Sequence, residues 1–148
     1  MQKHLLDTNV ASLLGSGDDE YRTFFDRFYR LADDDIVMVS VITLYEINYG
    51  LKNSQNKKQQ EEIRKNLELI QKYFEIVPLD IREMEIYADL KVLYKYHTGI
   101  NKTSMKKNDL DILIASSAIA TGATLVSRDA IFATLSEIEP KLKWENWL

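Results

Sequence analysis

Four acids in this chain stand where chemistry could gather. Asp7 directly follows a short apolar run, Leu5–Leu6. Asp129 follows another, Ala123–Val126, in the segment Val126-Ser127-Arg128-Asp129. Glu46 lies about a turn and a half into a helical stretch that begins after the β-branched run Ile36–Val39. Asp111 lies in the first turn of a stretch that continues to Gly122. Carboxylates brought within a few ångströms of one another repel, and such a group holds together only when protons or cations offset the charge. Oxygen-only donors, with no cysteine in the chain and no histidine at ligand spacing, select hard ions such as Mg²⁺ or Mn²⁺. The matching chemistry is phosphodiester hydrolysis, in which the ion lowers the pKa of a bound water, orients it and stabilises the leaving oxygen.

The elements that must position these acids follow from apolar patterning. Leu5–Leu6 ends a first strand, and Ile36–Val39 reads as a second. Ser40 is placed to cap a helix running to about Leu51. Tyr21, Phe24, Phe25, Phe28 and Tyr29 recur at i, i+3, i+4, i+7 and i+8, the spacing of an amphipathic helix. After the polar stretch Gln55–Gln60 a long helix carries Ile63, Leu67, Leu69 and Ile70. Ile76–Val77 is a short strand ended by Pro78. Ile81–Tyr96 is helical, with Met84, Tyr87, Ala88 and Leu90 expected inward. Asn108 is placed to cap the helix that Gly122 stops. Ala123–Val126, a short helix Ile131–Leu135 and a strand within Leu142–Trp147 close the chain. Short apolar runs alternating with helices point to an α/β fold with a parallel sheet. The carboxyl ends of parallel strands lie on one edge, where function collects in open sheets, so Asp7, Glu46 and Asp129 are expected to converge there.

Each acid also has a structural reading. Asp7 and Asp129 are suited to helix N-caps, Asp111 to the positive end of a helix dipole, and Glu46 to a solvated helix face. Two details favour a site. Glu46 shares its face with Ile42, Tyr49 and Gly50, and Asp111 ends an apolar stripe through Ala115, Ala118 and Ile119.

The 148 residues fit one domain spanning 1–148, long enough to bury a core without disulfides. The absence of cysteine excludes a disulfide scaffold, a thiolate zinc site and a cysteine nucleophile, and fits a cytoplasmic location. The acid at Asp7 interrupts any signal-peptide core. The apolar stretch Leu110–Val126 carries Asp111, Ser116, Ser117, Thr121 and Gly122, which marks a buried helix and strand and no membrane span. The net charge of −4 is unlike the global footprint of a nucleic-acid binder, so contact with a polyanion needs local basic residues or bound cations.

The segments Leu6-Asp7-Thr8-Asn9, Ser40-Val41-Ile42-Thr43-Leu44-Tyr45-Glu46-Ile47 with Tyr49-Gly50, Asp109-Leu110-Asp111-Ile112-Leu113-Ile114-Ala115 and Leu125-Val126-Ser127-Arg128-Asp129 together resemble the PIN domain, and within it the VapC-type toxins of bacterial toxin–antitoxin pairs. The resemblance spans nearly the whole chain. It implies a three-layer α/β/α fold around a parallel sheet of four to five short strands. It also implies a metal-dependent endoribonuclease that cuts single-stranded or looped RNA, a homodimer, and a cognate antitoxin that blocks the site. Carried over by position, Asp7, Glu46, Asp111 and Asp129 match the four catalytic, metal-binding acids. Asp109 competes for the third role or supports it, and Asn9 and Ser127 match polar residues that steady such sites by hydrogen bonds.

The segment from Gly99 to Asp111 departs from the resemblance by its length. Its Lys102, Lys106 and Lys107, with Arg128 beside the fourth acid, are candidates to contact RNA phosphates. A plain solvated loop accounts for the three lysines equally well. The aromatic helix Tyr21–Tyr29 reads first as core, but some of Tyr21, Phe25 and Phe28 are expected to stay partly exposed for a partner helix. Three rivals share parts of this pattern: a PIN-like nuclease of RNA maturation, a non-catalytic RNA- or protein-binding module, and another acid-cluster enzyme such as a flap nuclease or phosphatase. The lack of a phosphate-cradling glycine loop argues against most phosphatases.

Overall fold

The computed structural model describes residues 1–17, 19–99 and 106–148. Five strands form one all-parallel sheet in the order β3-β2-β1-β4-β5, where β1 is Lys3–Leu6, β2 Ile36–Ser40, β3 Glu75–Val77, β4 Thr124–Val126 and β5 Lys143–Glu145. Helices α1 (Thr8–Ala11), α2 (Asp19–Phe28), α3 (Val41–Asn53), α4 (Lys57–Tyr73), α5 (Glu83–Thr98), α6 (Asp109–Thr121) and α7 (Ala130–Ile138) flank it. This is the expected α/β architecture, with the strand number at the upper end of the expected four to five.

Side chains alternate across a strand, so neighbouring residues enter opposite cores. Leu5, Met38 and Leu125 are in register and face α5, α6 and α7, where Leu90, Ile112, Ala115, Phe132 and Leu135 meet them. Leu6, Val39 and Val126 point to the other face and pack on α1, α2, α3 and α4 through Val10, Phe24, Ile47 and Ile70. Both leucines of β1 are fully buried, each contributing roughly 1.5–3 kcal/mol of transfer free energy. His4 shares the face of Leu6, where it packs on Trp147 with ring centroids 5.2 Å apart. Burial holds its imidazole below the ordinary histidine pKa.

The caps divide. The Ser40 hydroxyl accepts from the Ile42 N–H at 3.1 Å and starts α3 as expected, and Asn56 caps α4 by accepting from the Gln59 N–H at 3.1 Å. Asn108 precedes α6 but its side chain makes no capping bond, because a short 3-10 turn, Lys106–Asn108, already leads into the helix. Gly122 ends α6 at φ 68°, a left-handed conformation that favours glycine.

Helix α5 corrects an expectation. Met84 and Ala88, inward by apolar pattern, are exposed, and the buried stripe runs through Glu83, Leu90 and Tyr94. The helix is rotated so that a charged residue lies inside. That is tolerated because the Asp80 N–H donates to Glu83 Oε2 at 3.1 Å and the Ser117 hydroxyl reaches Oε1 at 3.4 Å. In α2 only Phe24 is fully buried. Tyr21, Phe25 and Phe28 are half-buried and Tyr29 is exposed. Among the described residues no helix is long and apolar enough to cross a membrane.

Candidate active site

The parallel sheet puts Asp7 and Ser127 at its carboxyl edge. The Asp7 N–H donates to the Val126 carbonyl at 2.9 Å, and the Ser127 N–H donates to the Glu145 carbonyl at 3.0 Å, each extending the ladder one residue past its strand. Asp7 is only 4% exposed. It stands at the N-cap position of α1 yet makes no side-chain capping bond. Its Oδ2 accepts instead from the Ser127 hydroxyl at 2.8 Å. Burial pushes its carboxyl above the ordinary range, the Glu46 and Asp129 charges add to this, and the Ser127 bond opposes it.

Ser127 joins three segments. While its hydroxyl donates to Asp7, it accepts from Asn9 Nδ2 at 3.1 Å and from the Asp129 N–H at 3.0 Å. Its carbonyl accepts from the Trp144 indole at 3.0 Å. Ser127 thus braces Asp7 directly, and Asn9 does so through Ser127.

Glu46 rises from α3, and its Oε1 accepts from the Thr8 hydroxyl at 2.7 Å. Thr8 also meets Thr43 Oγ1 at 3.1 Å. The apolar stripe of α6 delivers Asp111, which is half-buried at the head of Ala115 and Ala118. Its carboxyl is raised to about 7, by burial first and then by the charges of Asp7, Asp129 and Glu46. Asp129 differs from Asp7, although both follow a strand of the sheet. It is exposed, and its Oδ1 caps α7 by accepting from the Ile131 N–H at 3.2 Å.

The four acids thus share one electrostatic neighbourhood at the sheet's carboxyl edge. Their donor set is all oxygen, and two of the four carry carboxyls raised by burial and by neighbouring charge, which suits a hard divalent cation. Among the described residues no three or more His, Asp and Glu side chains close into a metal-holding group as they stand, so the fit is one of chemistry and neighbourhood.

The remaining candidates fall elsewhere. Asp109 is paired with Lys91 of α5, 2.8 Å away, so its charge is already matched by a cation. Arg128 is exposed and paired with Glu20 of α2 at 2.7 Å. Lys106 and Lys107 are exposed in the turn before α6, and Lys102 lies outside the described residues.

Three residues at this edge carry no role in the sequence reading. Thr8 sits between Asp7 and Asn9, and Thr43 stands three positions before Glu46 on its helix, so adjacency and helical spacing were their signals. Tyr94 lies on the buried stripe of α5. Burial raises its phenol, and the nearby charges of Asp111 and Asp129 raise it further. The rotation of α5 hid it from the apolar pattern.

The arrangement has relatives. The pattern that defines the PIN domain matches residues 4–138. The Ribonuclease VapC2 of Rickettsia felis is 28% identical over 147 residues, covering 97% of each chain. Among solved structures, VapBC2 from Rickettsia felis bound to a DNA fragment from its promoter superposes with a TM-score of 0.77 at 26% identity, over 99% of this chain and 100% of that one. A member of the VapBC family of toxin–antitoxin systems from Mycobacterium tuberculosis, VapBC-5, shares the fold with a TM-score of 0.68 at 21% identity, covering 99% and 98%. With the family's pattern running through nearly the whole length and the acids gathered at the edge where its strands end, this chain belongs to the PIN-domain family.

Proposed function

We propose that this protein is an Mg²⁺- or Mn²⁺-dependent endoribonuclease that hydrolyses RNA phosphodiester bonds, acting as the toxin of a toxin–antitoxin pair, with residues 1–148 forming one nuclease domain. The observation that carries this reading is the electrostatic meeting of Asp7, Glu46, Asp111 and Asp129, in which the Asp111 carboxyl stands at about 7. Strongly perturbed carboxyls set beside like charges concentrate at functional sites. The likeness to a ribonuclease of Rickettsia felis supports RNA as the substrate.

In this reading Asp7, Glu46, Asp111 and Asp129 would hold the cation, which would supply positive charge for the scissile phosphate and a more acidic water. Ser127 and Asn9 fix the direction of Asp7, and Thr8 fixes that of Glu46. Asp129 keeps one oxygen on the N-terminus of α7, so its other oxygen is left for the ion. Lys106, Lys107 and Arg128 line the approach of the RNA backbone, with Arg128 drawn from Glu20 when a phosphate arrives.

The likeness to VapBC assemblies supports an antitoxin partner. The half-buried Tyr21 and Phe25 with exposed Tyr29, bordering a cavity of about 370 Å³, offer it an apolar surface. Tyr45 and Tyr49 of α3 and Val92 and Tyr96 of α5 are exposed and support self-association as a homodimer.

The test is RNA cleavage with Mn²⁺ and with EDTA, paired with melting. Cleavage should require the ion, and Mn²⁺ at a hundred times its Kd should add about 2.7 kcal/mol of stability. Cleavage that persists in EDTA together with an unchanged Tm would overturn the reading.

A further inference from the structure

The hydroxyls beside Glu46 form a chain that permits only one polarity. Thr8 Oγ1 lies 2.7 Å from Glu46 Oε1 and 3.1 Å from Thr43 Oγ1. An ionised carboxylate only accepts, and a hydroxyl has one proton to give. The Thr8 proton therefore goes to Glu46, and the bond between the threonines must use the proton of Thr43. Thr43 is fully buried. A threonine inside a helix commonly turns its hydroxyl back to a carbonyl of the preceding turn, as Thr98 does to Tyr94 and Thr121 to Ser117 in this protein. Thr43 instead spends its hydroxyl across the gap between α3 and α1.

This has two consequences for the site. One Glu46 oxygen is tied to Thr8, which restricts the carboxylate's rotation, while no hydrogen bond of Oε2 is found among the described residues. Thr8 has its proton and one lone pair committed, so what it can still offer is an acceptor lone pair and not a proton.

We propose that Thr43 is a positioning residue for the reaction, acting through Thr8 to orient Glu46 from a place where neither ion nor RNA touches it. The inference rests on the reading of Glu46 as a metal-holding acid. It assigns to a buried threonine, remote from substrate, an effect on ion binding and turnover that core packing alone would not produce.

The experiment compares Thr43→Val with Thr43→Ser. Valine keeps the branched shape and loses the hydroxyl, and serine keeps the hydroxyl and loses the methyl. Outer groups that orient metal ligands are worth about 10–100-fold in metal affinity or activity. Thr43→Val should weaken Mn²⁺ binding, titrated with the ion alone, and lower kcat by about 10-fold or more within that range, with KM for RNA nearly unchanged. Thr43→Ser should recover most of both, and Thr43→Val should cost nothing further in a Glu46→Gln background. Equal losses in the valine and serine variants would mean packing and overturn the proposal, as would wild-type Mn²⁺ binding and kcat in Thr43→Val. Should Thr43→Val fail to fold, Thr8→Val at the half-buried end of the chain tests the same link. Its Mn²⁺ affinity must fall by a similar factor or the relay is wrong. Glu46→Gln separates the two levels. Full cleavage in that variant overturns the assignment of Glu46 and the relay with it. An inactive Glu46→Gln beside an unaffected Thr43→Val overturns the relay alone.

Discussion

The amino end of the parallel sheet and the middle of its carboxyl edge treat carboxylates in opposite ways. At the amino end, Asp35 precedes β2 and accepts from the Gln2 N–H at 2.7 Å and the Ala32 N–H at 3.1 Å, and Asp34 pairs with the Met1 ammonium at 3.0 Å. The hydrogen bond from Gln2, foremost, holds the Asp35 carboxyl below the ordinary range. At the carboxyl end, Asp7 is buried and Asp111 half-buried, and both are pushed upward. Partners that favour the ion lower a pKa, whereas burial and like charge raise it. The amino end thus uses its acids to tie the chain together. Around Asp7 and Asp111 the carboxyl edge gathers charge that no nearby cation among the described residues offsets, the kind of perturbed cluster that concentrates at functional sites.

The sharpest way to break this comparison is to neutralise one acid at each end. Asp7→Asn should abolish RNA cleavage, a loss above about 100-fold if the residue is a direct ligand, and the protein should stay folded. Asp35→Asn should leave kcat unchanged and lower Tm slightly. Cleavage rates and melts of the two variants decide it, and a catalytic defect in Asp35→Asn would dissolve the contrast.

A second pair lies within one helix turn. Asp111→Asn should reduce cleavage by about 10-fold or more, and Asp109→Asn far less. Lys91 already matches Asp109, and partly exposed ion pairs of that kind contribute only about 0–1 kcal/mol. Single-turnover kinetics on both variants measure this, and a larger loss in Asp109→Asn would reverse the assignment of the third acid.

Stability against pH gives a smaller effect with a definite sign. The folded state holds the Asp111 proton up to about 7, whereas an ordinary aspartate releases it near 3.8. Between those values the folded state binds more protons, so stability falls as pH rises across that window. Since the group is about half exposed, solvent screening reduces the effect well below the full shift. Asp111→Asn should reduce this slope, leaving the part that the raised Asp7 carboxyl contributes, and gain roughly 1 kcal/mol at pH 8, about 2–4 °C in Tm. Melts in EDTA from pH 4 to 8 test it, and a slope in the variant as steep as that of the wild type would show that Asp111 is not responsible.

The smallest effect concerns substrate approach. Lys106→Ala with Lys107→Ala should weaken RNA binding without changing kcat at saturating RNA. The salt dependence should flatten by about 0.7 for each phosphate that is no longer neutralised. Arg128→Ala should do less in the free enzyme's electrostatics than the removal of an unpaired arginine would, because Glu20 already offsets it. Dissociation constants measured against salt would return the two lysines to plain surface if the slope is unchanged.

Much of the fold is legible in short stretches of chain. Leu5–Leu6, Ile36–Val39 and Ala123–Val126 announce buried parallel strands by short apolar runs, and Asp7 directly after the first and Asp129 three residues after the last mark the candidate edge. The Ser40 cap and Gly122 stop are local chemistry, readable from one turn of helix. Helix α5 is not legible in phase, because hydrophobicity favours Met84 over Glu83, and only hydrogen bonds to the Glu83 carboxylate, one of them from distant Ser117, make its burial tolerable.

Sequence by itself determined the alternation of strand and helix, the two-faced strands and the positions of four acids along the chain, since all of these depend on neighbours within a few residues. Tertiary structure decided which acid does what. Asp7 and Asp129 carry the same local signal, a carboxylate after a strand. Asp129 caps its helix, while Asp7 is taken up by Ser127, 120 residues away in sequence. Lys91 matches Asp109, Glu20 offsets Arg128, and Thr43 reaches Thr8 across 35 residues. A side chain's burial, charge and hydrogen-bond direction depend on what packs against it, and in this fold those partners come from distant segments that only the sheet brings together.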